Sequence, residues 1–380
     1  MNEVVSTLSR RNQYAISRMA IADCDLHPAP NSLADLRPYL DDRWWRHLES
    51  FGARRRHGCL TGSAYPKGSP GANRRDADPP GGRKPGSNLE FMRAQHLDPN
   101  NVQLGILNMI SPHPGGVQNP GLSAAMCAAI NDWQVVEWTS RDVRLRASVM
   151  VPYEQPADAA AEIYRRAGDP NFAQVLLLSR TAEPLGQRRY WPIYEAAVAA
   201  DLPIGVHAFG YGGAPLTSGG WPSFYIEEMI GHAACCESVI TSMVVEGVFE
   251  RFPALRVILV ESGFAWVPAH AWRMDKNWRT IKEENPAVTR LPSEVIRQNI
   301  WFTTQPMEEP EDPRHLLDII EWIGWDRLMF ATDYPHWDYD DSTTCLRVSL
   351  TEAQRAALFH DNAWRFFVKN RVQDRADDNQ

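Results

Sequence analysis

Short apolar runs rich in β-branched residues recur along this 380-residue chain between longer amphipathic stretches, and that alternation leaves few folds open. Eight runs stand near 21–26 (IADCDL), 102–109 (VQLGILNM), 144–151 (RLRASVMV), 173–178 (AQVLLL), 203–208 (PIGVHA), 256–261 (RVILVE), 299–304 (NIWFTT) and 327–333 (RLMFATD). Runs that are apolar almost throughout suit parallel strands covered on both faces. The stretches between them, such as 187–200, 226–251, 264–285 and 310–323, are long enough for the crossover helices that parallel strands require. Eight such units close a (β/α)8 TIM barrel of the α/β class, expected over about 21–368 within a single domain of 1–380. An open doubly wound sheet would carry a Gly-rich dinucleotide fingerprint after its first strand; here polar residues gather at the strand ends instead.

Charge and composition narrow the partners. A net charge of −8 speaks against a basic nucleic-acid face. No run approaches the roughly 18 apolar residues of a membrane span. The stretch MNEVVSTLSRRNQYAISRMA lacks a secretory apolar core with a cleavage site, so a cytoplasmic enzyme acting on a small molecule is expected. The cysteines at 24, 59, 127, 235, 236 and 345 show no CxxC spacing and read as reduced thiols. Cys24 alternates with Asp23 and Asp25 and is expected to point away from them as a small buried residue.

Two segments break the rhythm. An insertion at about 40–95 contains a Gly- and Pro-rich stretch, 51–90, with eight Lys or Arg against three acids, a local charge of about +5 on an acidic protein. It is read either as a dock for an anionic group or as a solvated loop. The second, FGYGGAPLTSGGWPSFY at 209–225, supplies mobile glycines together with Phe209, Tyr211, Trp221, Phe224 and Tyr225. That mixture suits a lid over an apolar substrate, or aromatic packing beneath a long loop.

Chemistry concentrates at strand ends. Asp23, Asp25 and His27 alternate on the first strand, so all three are expected on the barrel-interior face. His207 and Asp333 close the fifth and eighth runs in the same way. Buried carboxylates and imidazoles need a partner, and a cation at the mouth would satisfy them. Asp25, His27, His207 and Asp333 are therefore expected to hold a metal.

With IADCDLHP, LPIGVHA, GVFERFPALRVILVESGFAWVPAHAWRMD and LMFATDYPHWD in view, the sequence resembles the amidohydrolase-related family of metal-dependent barrels from residue 21 to about 368. The resemblance implies metal binding by Asp25, His27, His207 and Asp333, and Asp23 matches the leading Asp of the family's Asp-x-His-x-His motif. Two departures stand out. Asp25 replaces the motif's first His, and Glu261 stands at the sixth-strand end where many decarboxylases and hydrolases of the family carry a proton-transfer His. Glu261 could act as a general base or as a ligand to a second metal. His232 and His336, with Glu261 and Asp23, would supply that second cation; alternatively His336 orients substrate and His232 is an ordinary helical histidine. His113 reads as a loop residue near the mouth.

Carboxylate and imidazole donors together suit iron or manganese at least as well as zinc. Within the family, the sequence looks closest to a branch of non-haem diiron monooxygenases of diterpenoid biosynthesis. That likeness implies two Fe ions, O2 and an electron donor, with Glu261 and Asp333 catalytic. The substrate would be apolar, terpenoid or acyl-CoA-linked, in secondary, antibiotic-type metabolism, with 51–90 docking the CoA phosphates. The alternative is a single Zn or Mn centre that hydrolyses an ester, thioester or amide, or decarboxylates without oxidation; the missing His weighs most directly against decarboxylation. The aromatic stretch 264–278 offers a face for a homo-oligomer or for the barrel's own outer layer.

Overall fold

The structure, a computed structural model, describes residues 19–53, 72–210, 215, 217 and 219–369. All eight expected strands form: β1 (Ile21–Leu26), β2 (Val102–Leu107), β3 (Leu145–Met150), β4 (Phe172–Arg180), β5 (Ile204–Gly210), β6 (Val257–Val260), β7 (Ile300–Thr303) and β8 (Leu328–Met329). Each pairs in parallel with the next, in the order β1 to β8. β8 is two residues long, shorter than the run 327–333 suggested, because the chain beyond it bonds back to β1. The Cys24 N–H donates to Phe330 O (3.0 Å) and the His27 N–H to Tyr334 O (2.9 Å), nearly closing the barrel.

Helices fill the connections where the sequence caps and faces them. Pro120–Gln134 starts with Pro at its first position and Asn119 accepting the Leu122 N–H, so one orphan amide is satisfied. Arg314–Ile323 buries Leu316, Ile320 and Ile323, spaced four and three residues apart along one face. The main core lies between strands and helices. A second cluster joins Ala22 and Cys24 of β1, Leu104 and Ile106 of β2, Ala173 of β4, Ile258 and Val260 of β6 and Met329 of β8. These strands are not all neighbours, so the cluster fills the barrel axis. Phe366 and Phe367 from the C-terminal helical segment belong to the same cluster.

Regular alternation fails on β1, where pairing with β2 shifts register between Asp23 and Leu26. This corrects the expectation that Asp23 shares a face with Asp25 and His27. The Asp23 carboxylate accepts from His96 Nε2 (2.8 Å) and from the Thr332 N–H (3.0 Å) and hydroxyl (2.5 Å). Asp23 therefore ties β1 to the segment after β8 and reinforces the seam. Cys24 is buried in the axial cluster, as a small apolar residue would be.

Of the 40–95 insertion, Asp42–Phe51 is helical, whereas residues 54–71, which carry half of the basic residues of 51–90, lie outside the described residues. Arg74, within it, is committed to Asp76 through Nε (2.9 Å) and Nη2 (2.7 Å).

Candidate metal centre

Strand ends converge at one mouth of the barrel, the end where such folds build their sites. Asp25 and His27 leave β1, His207 lies near the end of β5, Glu261 follows β6 and Asp333 follows β8. Ligand-capable atoms of Asp25, His27, His207 and Glu261 all lie within 4.8 Å of one another, as do those of His27, Asp333 and His336, and those of Glu261, Asp333 and Asp338. The three groups share His27, Glu261 and Asp333, so they form one continuous centre. Glu261 (φ 55°) and Asp333 (φ 64°) both have left-handed backbone. Such a conformation costs about 1–3 kcal/mol in a non-glycine residue and turns each carboxyl off the strand direction.

Both strand-borne imidazoles are held in one tautomer. His27 Nδ1–H donates to Asn108 O (2.7 Å) and His207 Nδ1–H to Ala208 O (2.8 Å), leaving each Nε2 lone pair for the site. His27 Nε2 stands 2.7 Å from Asp333 Oδ1 and 3.2 Å from Asp25 Oδ1, and His207 Nε2 stands 3.2 Å from Glu261 Oε2 and 3.5 Å from Asp25 Oδ2. Yet Asp25 Oδ2, His27 Nε2 and His207 Nε2 are buried and make no hydrogen bond. Three orphaned donor atoms facing one point at the mouth are what a small cation would need.

Electrostatics agree. Burial pushes the Asp25 carboxyl up, but the imidazoles of His27 and His207 outweigh it and hold it well below the usual carboxylate range. Asp333 is also lowered, burial being overcome by His336 and His27. Glu261 goes the other way: burial, then the charges of Asp333, Asp338 and Asp25, lift it well above the ordinary range. Asp338 is raised to about 8 by burial and by Asp333. The surroundings thus favour the ionised form at Asp25 and Asp333 and the protonated form at Glu261 and Asp338.

The remaining candidates separate. His336 Nδ1–H donates to Asp333 Oδ1 (2.6 Å) while its ring stacks on His27 at 4.3 Å. His232 joins none of the metal-capable groups found among the described residues. Buried on the helix Tyr225–Val245, it stacks on Phe209 (5.9 Å), and burial, with His207 and Arg180, lowers its pKa to about 4. Phe209 lines a cavity of about 600 Å3 together with His27 and His336, and Arg75, Lys84 and Asp78 line it too. Trp221 and Phe224 are 50% and 71% exposed and do not line it, and Tyr211 lies outside the described residues. His113 is buried, with its ring 5.6 Å from that of Tyr153.

Three contributors went unread in the sequence. Asn108 donates through Nδ2 to Asp25 Oδ1 (2.9 Å), and Gln305 through Nε2 to Asp333 Oδ2 (3.3 Å) and Asp338 Oδ2 (3.2 Å). Each of these amides lies just beyond a strand end, the same signal that marked His207, while Asp338 closes the motif DYPHWD.

A parallel barrel whose strand ends carry buried imidazoles and carboxylates defines a class, the metal-dependent (β/α)8 enzymes. Within it, the chain belongs to the amidohydrolase family, whose profile matches residues 22–368. It is 26% identical over 301 residues to the γ-resorcylate decarboxylase of Polaromonas sp. strain JS666, covering 74% of this chain and 88% of that one. It is 24% identical over 305 residues to the γ-resorcylate decarboxylase of Rhodococcus jostii strain RHA1, with coverages of 74% and 88%. A solved dihydroxybenzoic acid decarboxylase from Polaromonas sp. JS666, with bound manganese and 2-nitroresorcinol, superposes with a TM-score of 0.64 and 20% identity over 93% of this chain and 98% of that one.

These relatives overturn the diiron monooxygenase expectation: they are decarboxylases, and loss of CO2 from an arene carboxylate consumes neither O2 nor electrons. Two Fe ions, an electron donor, a CoA-linked substrate and an antibiotic pathway lose their support with it. The misreading arose from counting donors along the chain. In space Asp23 braces the seam and His232 stands outside the donor groups.

Proposed function

We propose that this chain is a divalent-metal-dependent, non-oxidative decarboxylase of an aromatic carboxylic acid. The observation that carries the reading is the convergence, at one mouth, of three orphaned donor atoms and the buried Glu261 carboxyl, which burial and neighbouring carboxyls raise well above the ordinary range. Asp25, His27, His207 and Asp333 would hold the cation. When bound, it would supply the positive charge that fixes the substrate's carboxylate and balances the acidic residues around it.

Glu261 then delivers the proton. It is transferred to the ring carbon bearing the carboxylate, a C–H bond forms, the C–C bond breaks, and CO2 leaves with the ring's electrons restored. The sequence counted the missing histidine against this reaction, but a glutamic acid raised by burial and three neighbouring carboxyls can fill the same office at neutral pH. Phe209 and Ile110 offer apolar surface to a ring, while Arg74, Arg75 and Lys84 against Asp78 give the cavity lining a cationic excess that favours an acid.

The test is turnover under nitrogen. Protein loaded with Mn2+ or Zn2+ is given a panel of hydroxybenzoic acids, and CO2 and the decarboxylated phenol are quantified. Release at the same rate with and without air, at one metal per chain, is expected. Absence of CO2 from the whole panel, or product only in air, sinks the proposal.

A further inference from the structure

Asn108 lies one residue past β2, just beyond the Leu26–Leu107 pair with which β1 resumes pairing after its irregular stretch between Asp23 and Leu26. Its backbone continues that pairing: the N–H donates to Leu26 O (2.7 Å) and the carbonyl accepts His27 Nδ1–H (2.7 Å). Its side-chain NH2 donates to Cys24 O (3.1 Å) and Asp25 Oδ1 (2.9 Å). Its Oδ1 accepts from Ser148 Oγ (2.6 Å) on β3 and from Gln174 Nε2 (2.9 Å) on β4, and Gln174 also donates to Ser148 Oγ (3.0 Å). Both donors and both acceptor sites of the amide are used, and Asn108, Ser148 and Gln174 are fully buried. Only one orientation of the amide satisfies all four partners, because Cys24 O can only accept. Gly205 of β5 is part of the arrangement, since a Cβ there would fall 2.7 Å from the Gln174 amide.

The consequence reaches both β1 donors. With Oδ1 of Asp25 occupied by Asn108, Oδ2 is left as the orphaned oxygen facing His207. With His27 Nδ1 occupied by Asn108 O, Nε2 is left as the other orphan. We infer that Asn108 is a positioning residue for the metal, its amide selecting which Asp25 oxygen meets the cation and the Ser148–Gln174 pair locking that amide; the inference rests on the metal-centre reading above. The Asn108 amide, with all four of its sites filled, holds its geometry because any reorientation leaves a buried polar group unpaired.

Calorimetric titration of metal-free protein with Mn2+, beside thermal unfolding of the same samples, tests this. Asn108→Ala is expected to weaken Mn2+ binding by about 10–100-fold, and Ser148→Ala by a smaller factor. In an Asp25→Asn background, Asn108→Ala is expected to add little, because the group it positions is gone. Wild-type affinity in Asn108→Ala, or an equal loss with and without Asp25, overturns the inference. If Asn108→Ala does not fold, Ser148→Ala decides: weaker binding at unchanged metal-free stability supports the role, and unchanged binding refutes it. A wild-type chain that takes up no Mn2+ removes the metal-centre reading itself, and the inference falls with it.

Discussion

Glu261 shows how much a single position depends on its surroundings. On an exposed loop its carboxyl would be ionised at neutral pH; buried beside Asp333, Asp338 and Asp25 it is raised well above that range. An acid works only while it carries its proton, so the sign of the Glu261 contribution is fixed: activity should fall as pH rises through the raised Glu261 value. Glu261→Gln keeps the size and removes the proton, and is expected to lower kcat by about 10²–10⁴-fold with Mn2+ affinity largely kept. Steady-state rates between pH 5 and 9, with metal analysis of the variant, check both statements. Loss of metal in step with rate would make Glu261 a ligand instead. Trp221 and Phe224 carry the opposite lesson: their types suit a lid, yet both are exposed and neither lines the cavity.

At the scale of elements, site geometry depends on how closely neighbours approach. Gly186, in the loop after β4, lies against the helix Tyr225–Val245: its N–H donates to Ser242 Oγ (3.0 Å), and a Cβ would fall 2.1 Å from Ser242 O. Since backbone cannot swing aside as a side-chain tip can, Gly186→Ala is expected to cost about 1–3 kcal/mol. Urea unfolding of metal-free protein measures it, and a loss below the scatter of wild-type repeats would show that the helix can shift. The β1 irregularity is the counterpart inside the sheet. A strand in perfect register would have placed Asp23 with Asp25 and His27; the shift sends Asp23 to Thr332 and the other two to the mouth. Period-two reasoning reads a regular strand correctly and cannot see a bulge.

Across the whole molecule, stability and chemistry occupy opposite ends of the barrel. Phe366 and Phe367 join the axial cluster, Trp301 packs on Phe366 at 4.8 Å, and Arg256 Nη1, just before β6, donates to Phe366 O (3.2 Å). The donor atoms lie at the other ends of the strands. Phe366→Ala is therefore expected to destabilise by about 3–5 kcal/mol with Mn2+ affinity unchanged. Chemical denaturation and calorimetry read the two separately, and a parallel loss of affinity would contradict the division. Conservation of function at one end and of packing at the other is the usual economy of this fold.

Eight apolar runs sufficed to specify eight parallel strands, because a strand buried on both faces must be apolar over its length whatever surrounds it. The polar residues interrupting those runs at their ends likewise marked Asp25, His27, His207, Glu261 and Asp333, since burying such groups requires a reason. Tertiary structure alone decided which of them meet. The shifted register of β1, the left-handed backbone at Glu261 and Asp333, and the amide of Asn108 reaching from the neighbouring strand are set by packing around the barrel. They determine which donors meet, and so leave Asp23 at the seam and His232 outside the donor groups that a count along the chain had joined.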